Sequence, residues 1–190
     1  KCLKHAKPII VATQMMESMM DNIHPSRAEV NDVANSVLDG ADAVMLSGET
    51  SVGKHPVKVV ETMRNICKKV ENLGDIYNPD IRPAFTENRM ISDNICQTAA
   101  DMAKRTDVKA ILTMSNSGYS AMKIASFRPK SNIYVFTDNH RVLNTVNLVW
   151  GVRGFYYDKY GSTDETILDI KQILKKHRLV KNGDIVINIA

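Results

Sequence analysis

The chain has 190 residues, of which 44% are hydrophobic and 24% charged, and its formal net charge is +4. These values are ordinary for a globular protein of one or two domains, and the scattered basic residues argue against a nucleic-acid-binding surface. No apolar run approaches the roughly 20 residues that cross a bilayer, so we expect no membrane segment.

The first half of the chain predicts strand, helix, strand, helix. Two short apolar runs, 8–12 and 43–46, are each typical of a strand buried on both faces. Between them, apolar residues recur at helical spacing over 30–38, and Gly40 lies where a left-handed cap is expected to end that helix. Pro56 suits the first position of a further helix.

The second half predicts a separate α/β domain. Residues 74–88 contain two prolines and little periodicity, which indicates a linker between a first part, 1–73, and a second part, 89–190. In the second part helices and strands alternate, which favours a mostly parallel sheet with helices on both faces. The predicted strands are 110–114, 133–136, 154–157 and 184–189. One predicted helix begins near Ser92, and three more cover 119–127, 140–149 and 162–178. A Ser162–Glu165 capping box opens the last of them.

The cysteines and histidines show no metal-ligand spacing, so we expect no metal site in this chain. Cys67 and Cys96 fall on apolar helix faces, where reduced thiols act as small hydrophobes. Reduced thiols favour a reducing compartment, so we expect a cytoplasmic protein.

Polar residues follow both strands of the first half at the point where each strand ends. Thr13 follows the first strand, and Ser47 and Glu49 follow the second. In parallel sheets covered by helices, groups at the carboxyl ends of the strands face the ligand. The same residue types also occur in ordinary turns, so spacing alone leaves both interpretations open.

The order of residues in this region carries a specific resemblance. Five motifs, ATQMMESM at 12–19, PSRAE at 25–29, DVAN at 32–35, LDGAD at 38–42 and MLSGET at 45–50, closely resemble the end of the catalytic barrel of pyruvate kinase. Residues 90–190 resemble, more loosely, that family's carboxyl-terminal domain. The resemblance implies the last two βα units of a TIM-type (β/α)8 barrel, followed by a separate α/β domain with a mostly parallel sheet.

The resemblance also implies site residues in the first half. In pyruvate kinases the threonine that matches Thr13 lies beside the enol face of the substrate. It is linked to delivery of the proton that converts the enol to pyruvate. A hydroxyl is a weak acid, so Thr13 would act as a relay with water or a neighbouring charge. Ser47 and Glu49 match residues beside the active-site water network and are the other catalytic candidates. Arg27 matches a region that packs against a neighbouring subunit.

The three catalytic assignments have structural alternatives. Thr13 could instead cap the next helix, because strand-end hydroxyls often do so. Ser47 and Glu49 could only support the turn in which they lie.

A second candidate site lies between the first strand and the following helix of the α/β domain. Backbone amides and hydroxyls in this loop could cradle a phosphate, or the residues could simply form the turn. In many pyruvate kinases the matching loop grips a phosphate of an allosteric sugar phosphate, often fructose 1,6-bisphosphate. The candidate residues are Ser115, Asn116, Ser117, Gly118, Tyr119 and Ser120. Asn116 and Tyr119 depart from the commonest family pattern.

The resemblance implies a parent enzyme that transfers phosphoryl from phosphoenolpyruvate to ADP with Mg²⁺ and K⁺, as a cytoplasmic homotetramer. In that family the metal ligands, the catalytic lysine and the nucleotide contacts come from earlier barrel strands, and their motifs are not in this sequence. The chain opens without Met and reads at once as a helix end, so we expect a fragment that is inactive by itself. Two alternatives are a stand-alone phosphosugar-binding or assembly module and an unrelated phosphate-binding α/β domain.

Overall fold

The computed structural model describes residues 2–74, 76–77, 79, 84–85, 87–159 and 161–189. The chain forms two compact units: Pro8–Tyr77 is one, here called the barrel unit, and the segment before it joins the rest of the chain in the other, here called the α/β unit. The boundary at Tyr77 falls within the predicted linker, 74–88, several residues of which lie outside the described part of the chain.

The barrel unit contains two parallel strands and their helices. Its elements are β1 (Ile10–Val11), α1 (Arg27–Leu38), β2 (Ala43–Val44), α2 (Gly48–Ser51) and α3 (Pro56–Leu73). Ile10 lies opposite Ala43 and Val11 opposite Val44 in a parallel register, which confirms the predicted strand–helix–strand arrangement.

Both strands are shorter than predicted. The chain leaves extended geometry at Thr13 and Gln14, whose φ angles are +70° and +53°. After β2 the chain turns at Ser47 into the short helix α2, which the sequence analysis did not predict. The regular ladder therefore stops before the polar residues that follow each strand.

Local signals explain the two long helices of this unit. Ser26 caps α1 in a capping box with Glu29, and Gly40 just beyond the helix has the predicted left-handed conformation, with φ of +89°. Pro56 is the first residue of α3, as predicted. The buried core of the unit comprises Met15, Met16, Met19, Val33, Val59 and Met63.

The α/β unit is a four-stranded parallel sheet covered by helices. Its elements are α4 (Met90–Arg105), β3 (Val108–Met114), α5 (Tyr119–Ser126), β4 (Asn132–Thr137), α6 (His140–Val146), β5 (Val152–Tyr156), α7 (Thr163–Lys176) and β6 (Ile185–Ile189). The strand order is β5-β4-β3-β6, and every neighbouring pair is parallel. The predicted alternation of helices and strands is confirmed, with ends that shift by a few residues.

The two faces of this sheet bury separate apolar clusters, because successive side chains of a strand point to opposite faces. Ile111 and Ile133 lie in one cluster with residues of α4, α5 and α6. Leu112 and Tyr134 lie in the other with residues of α7. The central strands β3 and β4 are therefore buried on both faces, which is why their sequences read as continuous apolar runs.

Within the described ranges, no helix combines the length and the apolar character that a bilayer crossing requires.

Candidate functional site

Thr13 and Ser47 lie at the same end of the parallel pair β1–β2, each just beyond the carboxyl end of its strand. Both residues are exposed, and the Thr13 hydroxyl donates to the carbonyl oxygen of Ala12 at 2.6 Å. The short helix that follows, Glu17–Met20, starts after Met16, without a side-chain capping bond. The alternative in which Thr13 caps that helix is therefore not what the structure shows.

The backbone at Thr13 is strained. A φ near +70° is unfavourable for any residue with a Cβ and most of all for a β-branched residue such as threonine. Residues in such regions cost about 1–3 kcal/mol each and persist only where their surroundings hold them. The segment after Thr13 must therefore be anchored by other groups.

Glu49 supplies one of these anchors. It is buried, with 4% of its surface exposed. Its Oε1 accepts a hydrogen bond from the Met16 amide at 3.2 Å, and its Oε2 accepts one from the Ser47 amide at 2.7 Å. The carboxylate therefore joins the loop after β1 to the turn after β2.

The charge state of Glu49 follows from these contacts. Burial raises the pKa of Glu49, but hydrogen bonds from backbone amides, that of Ser47 first, lower it by more, so the net pKa lies below its ordinary value. At neutral pH Glu49 is a carboxylate that accepts hydrogen bonds and has no proton to donate. The geometry therefore suits Glu49 for holding the site in shape.

Arg27 is the exposed first residue of α1. A cation in the first turn of a helix opposes the helix dipole, so helix stability does not account for an arginine at this position.

In the loop between β3 and α5, two serine hydroxyls accept hydrogen bonds from backbone amides of the same segment. The Ser115 hydroxyl oxygen accepts from the Gly118 amide at 2.9 Å, and the Ser117 hydroxyl oxygen accepts from the Tyr119 amide at 3.4 Å. Gly118 has φ of +74°, and a Cβ there would lie 3.1 Å from Val142 and Val146, so only glycine suits this position. A bound phosphate would have to take these amides over from the serine hydroxyls. Asn116 is exposed, and Ser120 lies within the first turn of α5.

Tyr119 is tied into a buried ionic network that the sequence analysis missed. Its hydroxyl donates to Asp93 Oδ1 at 2.5 Å, and the Arg89 guanidinium lies 4.2 Å from its ring centroid. Lys123 Nζ donates to Asp93 Oδ2 at 3.1 Å and to the carbonyl oxygen of Ala84 at 2.6 Å. Asp93 and Lys123 are only 0% and 2% exposed, so this network joins α4, α5 and the backbone at Ala84 in the interior of the unit.

Among the described residues, no group of three or more His, Cys, Asp or Glu side chains is placed to hold a metal ion.

A cavity of about 270 Å³ lies between α7, β3 and β6, and its lining includes Leu112, Thr166, Ile170 and Asn188. The candidate residues of the two sites above do not line it.

Two family models match the chain. The pyruvate kinase barrel domain matches residues 1–60, and the pyruvate kinase alpha/beta domain matches residues 93–190.

Individual relatives agree with this match. The chain is 41% identical to a pyruvate kinase of Geobacillus stearothermophilus, covering 100% of this chain and 32% of that protein. It is 38% identical to a pyruvate kinase of Lactobacillus delbrueckii subsp. bulgaricus, covering 100% of this chain and 33% of that protein. A crystal structure of a pyruvate kinase from Cryptosporidium parvum superposes with a TM-score of 0.87 at 31% identity, covering 99% of this chain and 38% of that one. The chain thus spans about a third of the length of these relatives.

Proposed function

This chain belongs to the pyruvate kinase family, and from that premise we propose that its parent enzyme transfers a phosphoryl group from phosphoenolpyruvate to ADP in glycolysis, giving pyruvate and ATP. The observation that supports the proposal most directly is the pair of polar strand ends, Thr13 and Ser47, at one end of a parallel pair. Parallel α/β barrels carry their chemistry at that end of the strands.

In this reaction the bond from the substrate's enol oxygen to phosphorus breaks, and a terminal phosphate oxygen of ADP forms the new one. The enolate left behind takes a proton at its carbon, which gives pyruvate. We assign Thr13 to this second step as a relay between water and the enol carbon, since an exposed hydroxyl at a strand end can accept and pass on a proton. We assign Ser47 to contacts with the active-site water at the carboxyl ends of these strands. We assign Glu49 to holding the Met16 and Ser47 amides in place.

Mg²⁺ and K⁺ are part of the proposal for the parent enzyme. Among the described residues no three His, Cys, Asp or Glu side chains are grouped to hold a metal ion, and no step is assigned here to one. Their ligands, together with the lysine that stabilises the transferring phosphoryl group, are expected from barrel strands outside this sequence.

We further propose that the parent enzyme is a cytoplasmic homotetramer and that Arg27 lies at a subunit interface. The exposed position of Arg27 at an unfavourable end of its helix supports an intermolecular role.

The 190-residue chain is expected to show no phosphoryl transfer by itself, since it lacks the motifs for the metal ligands and the phosphoryl-stabilising lysine. The measurement is pyruvate formation from phosphoenolpyruvate and ADP with Mg²⁺ and K⁺, for the chain and for the longer parent protein. Transfer by the chain alone would contradict this expectation. An inactive parent would contradict the proposed function and favour a phosphosugar-binding or assembly module.

We also propose that the loop from Ser115 to Ser120 binds one phosphate of a sugar-phosphate effector. Titration of the chain with fructose 1,6-bisphosphate, followed by amide chemical shifts, is expected to move the Gly118 and Tyr119 signals, because the phosphate replaces their serine acceptors. The amides after Ser162 at the start of α7 serve as the control. Equal shifts at both helix starts, or none at the loop, would count against the site.

A further inference from the structure

The Glu29 carboxylate reaches beyond the helix that it caps. It is a buried residue of α1, and its Oε2 accepts from the Ser26 amide at 2.7 Å, while the Glu29 amide donates to the Ser26 hydroxyl oxygen at 3.3 Å, as a capping box requires. Its Oε2 also accepts from the Ser26 hydroxyl at 2.9 Å. In addition, its Oε1 accepts from the Ser18 amide at 2.6 Å, and its Oε2 accepts from the Ser18 hydroxyl. Ser18 lies in the segment that follows β1, within the short helix Glu17–Met20, eleven residues before Glu29 in the chain.

The other capping box of the chain shows what Glu29 does in addition. Glu165 accepts from the Ser162 amide at 2.9 Å and from the Ser162 hydroxyl at 2.8 Å. Glu165 is exposed, and among the described residues its carboxylate accepts only from Ser162. Helix capping alone therefore does not need the burial of Glu29 or its bonds to Ser18.

The bonds to Ser18 complete an anchor for the strained turn at Thr13 and Gln14. On one side of the turn, β1 is held by its pairing with β2. On the other side, Glu49 binds the Met16 amide and Glu29 binds Ser18. Two carboxylates from separate helices therefore hold the chain within five residues of Thr13.

We propose that Glu29 is a positioning residue of the reaction, which acts through Ser18 to hold the turn that presents the Thr13 hydroxyl at the end of β1. The inference rests on the proposed function for its catalytic consequence. A side chain that holds a reacting group in place affects the rate through geometry. Small displacements of that group reduce stabilisation of the transition state more than they reduce the affinity for the substrate.

The ionisation of Glu29 agrees with this role. Burial raises the pKa of Glu29, but hydrogen bonds from Ser18 and Ser26 lower it by more, so the net pKa lies below its ordinary value and the group is ionised at neutral pH. A glutamine in its place would present an N–H where one oxygen now accepts. It would therefore lose bonds to the amides or hydroxyls of Ser18 and Ser26.

The test uses the intact parent enzyme with four variants. Glu29→Gln and Ser18→Ala are expected to lower kcat about 10- to 100-fold, with a smaller change in KM for phosphoenolpyruvate. Ser18→Thr keeps the hydroxyl and is expected to restore most of kcat. Glu165→Gln, the matched control, weakens the equivalent capping box in the α/β unit and is expected to leave kcat unchanged. Ser18→Ala removes the contacts of the Ser18 hydroxyl with Glu29 and with the Ser26 amide and keeps the Ser18 amide bond and both members of the Ser26–Glu29 capping box, so it weakens the anchor of the segment while the box of α1 remains.

A second measurement does not depend on activity. In the 190-residue chain, hydrogen exchange at the Met16 and Ser18 amides is expected to be faster in Glu29→Gln than in wild type, and unchanged in Glu165→Gln. The proposal is overturned if Glu29→Gln and Ser18→Ala keep wild-type kcat in an active parent, or if exchange at these amides does not change. An inactive wild-type parent would instead refute the proposed function, and the exchange result would still decide whether Glu29 holds the loop.

Discussion

Replacing Lys123 with methionine is expected to lower the free energy of unfolding of the α/β unit by about 3–5 kcal/mol, since removing one partner of a buried ion pair leaves the other charge uncompensated. Lys123 and Asp93 are joined at 3.1 Å and are 2% and 0% exposed. The substitution also removes the donor to the Ala84 carbonyl and changes the surroundings of the Asp93–Tyr119 hydrogen bond. Urea denaturation followed by far-ultraviolet circular dichroism measures the effect.

The matched control is Lys159→Met. Lys159 also forms an ion pair with an aspartate, Asp169, at 2.7 Å, but the Lys159 side chain is 66% exposed. Exposed ion pairs contribute little to stability, so this variant is expected to unfold close to the wild-type denaturant concentration. The double variant Lys123→Met with Asp93→Asn is expected to recover part of the loss, because it removes the buried negative charge together with the positive one. Equal midpoints for Lys123→Met and Lys159→Met would refute the structural role of the buried pair.

Replacing Thr13 with valine in the intact parent enzyme is expected to lower kcat by about 100-fold or more, in the range that a positioned proton-transfer group contributes. Valine keeps the branched shape of threonine and removes only the hydroxyl. The backbone at φ of +70° is therefore strained to a similar extent in both proteins, and the change reports on the hydroxyl. The rate of pyruvate formation at saturating substrate, compared with KM for phosphoenolpyruvate, is the measurement.

Thr13→Ser is the control for this prediction. Serine keeps the hydroxyl and loses the methyl group. Because the group that relays the proton is retained, we expect kcat within about a few-fold of wild type. If the valine variant kept wild-type kcat, or if valine and serine lowered it equally, the relay assigned to Thr13 would be wrong.

Much of the fold was predictable because its signals are local. The apolar runs of β3 and β4 reflect burial on both faces, and Gly40, Pro56 and the Ser162–Glu165 pair mark helix ends through their own backbone preferences. The capping box of Ser26 and Glu29 at the start of α1 carried an equally clear signal, a serine followed three residues later by a glutamate, which the sequence analysis did not use.

The candidate residues were predictable only as positions. Thr13 and Ser47 do follow neighbouring parallel strands, as the sequence indicates. The positive φ at Thr13 was missed because no glycine or other left-handed signal stands at 13 or 14. The helix α2 was missed because it has only four residues and no side-chain capping bond. The Tyr119–Asp93–Lys123 network was missed because its members come from different helices, up to thirty residues apart in the chain.

The sequence by itself determined the family, the alternation of helices and strands, and the helix ends, since these depend on residue order, periodicity and the conformational limits of single residues. Only the tertiary structure decided which carboxylates act on the loop after β1 and why a lysine is buried in α5. Both depend on bringing side chains from distant parts of the chain out of water together, where each polar group must find a partner. Local sequence patterns do not indicate which distant side chains will pair.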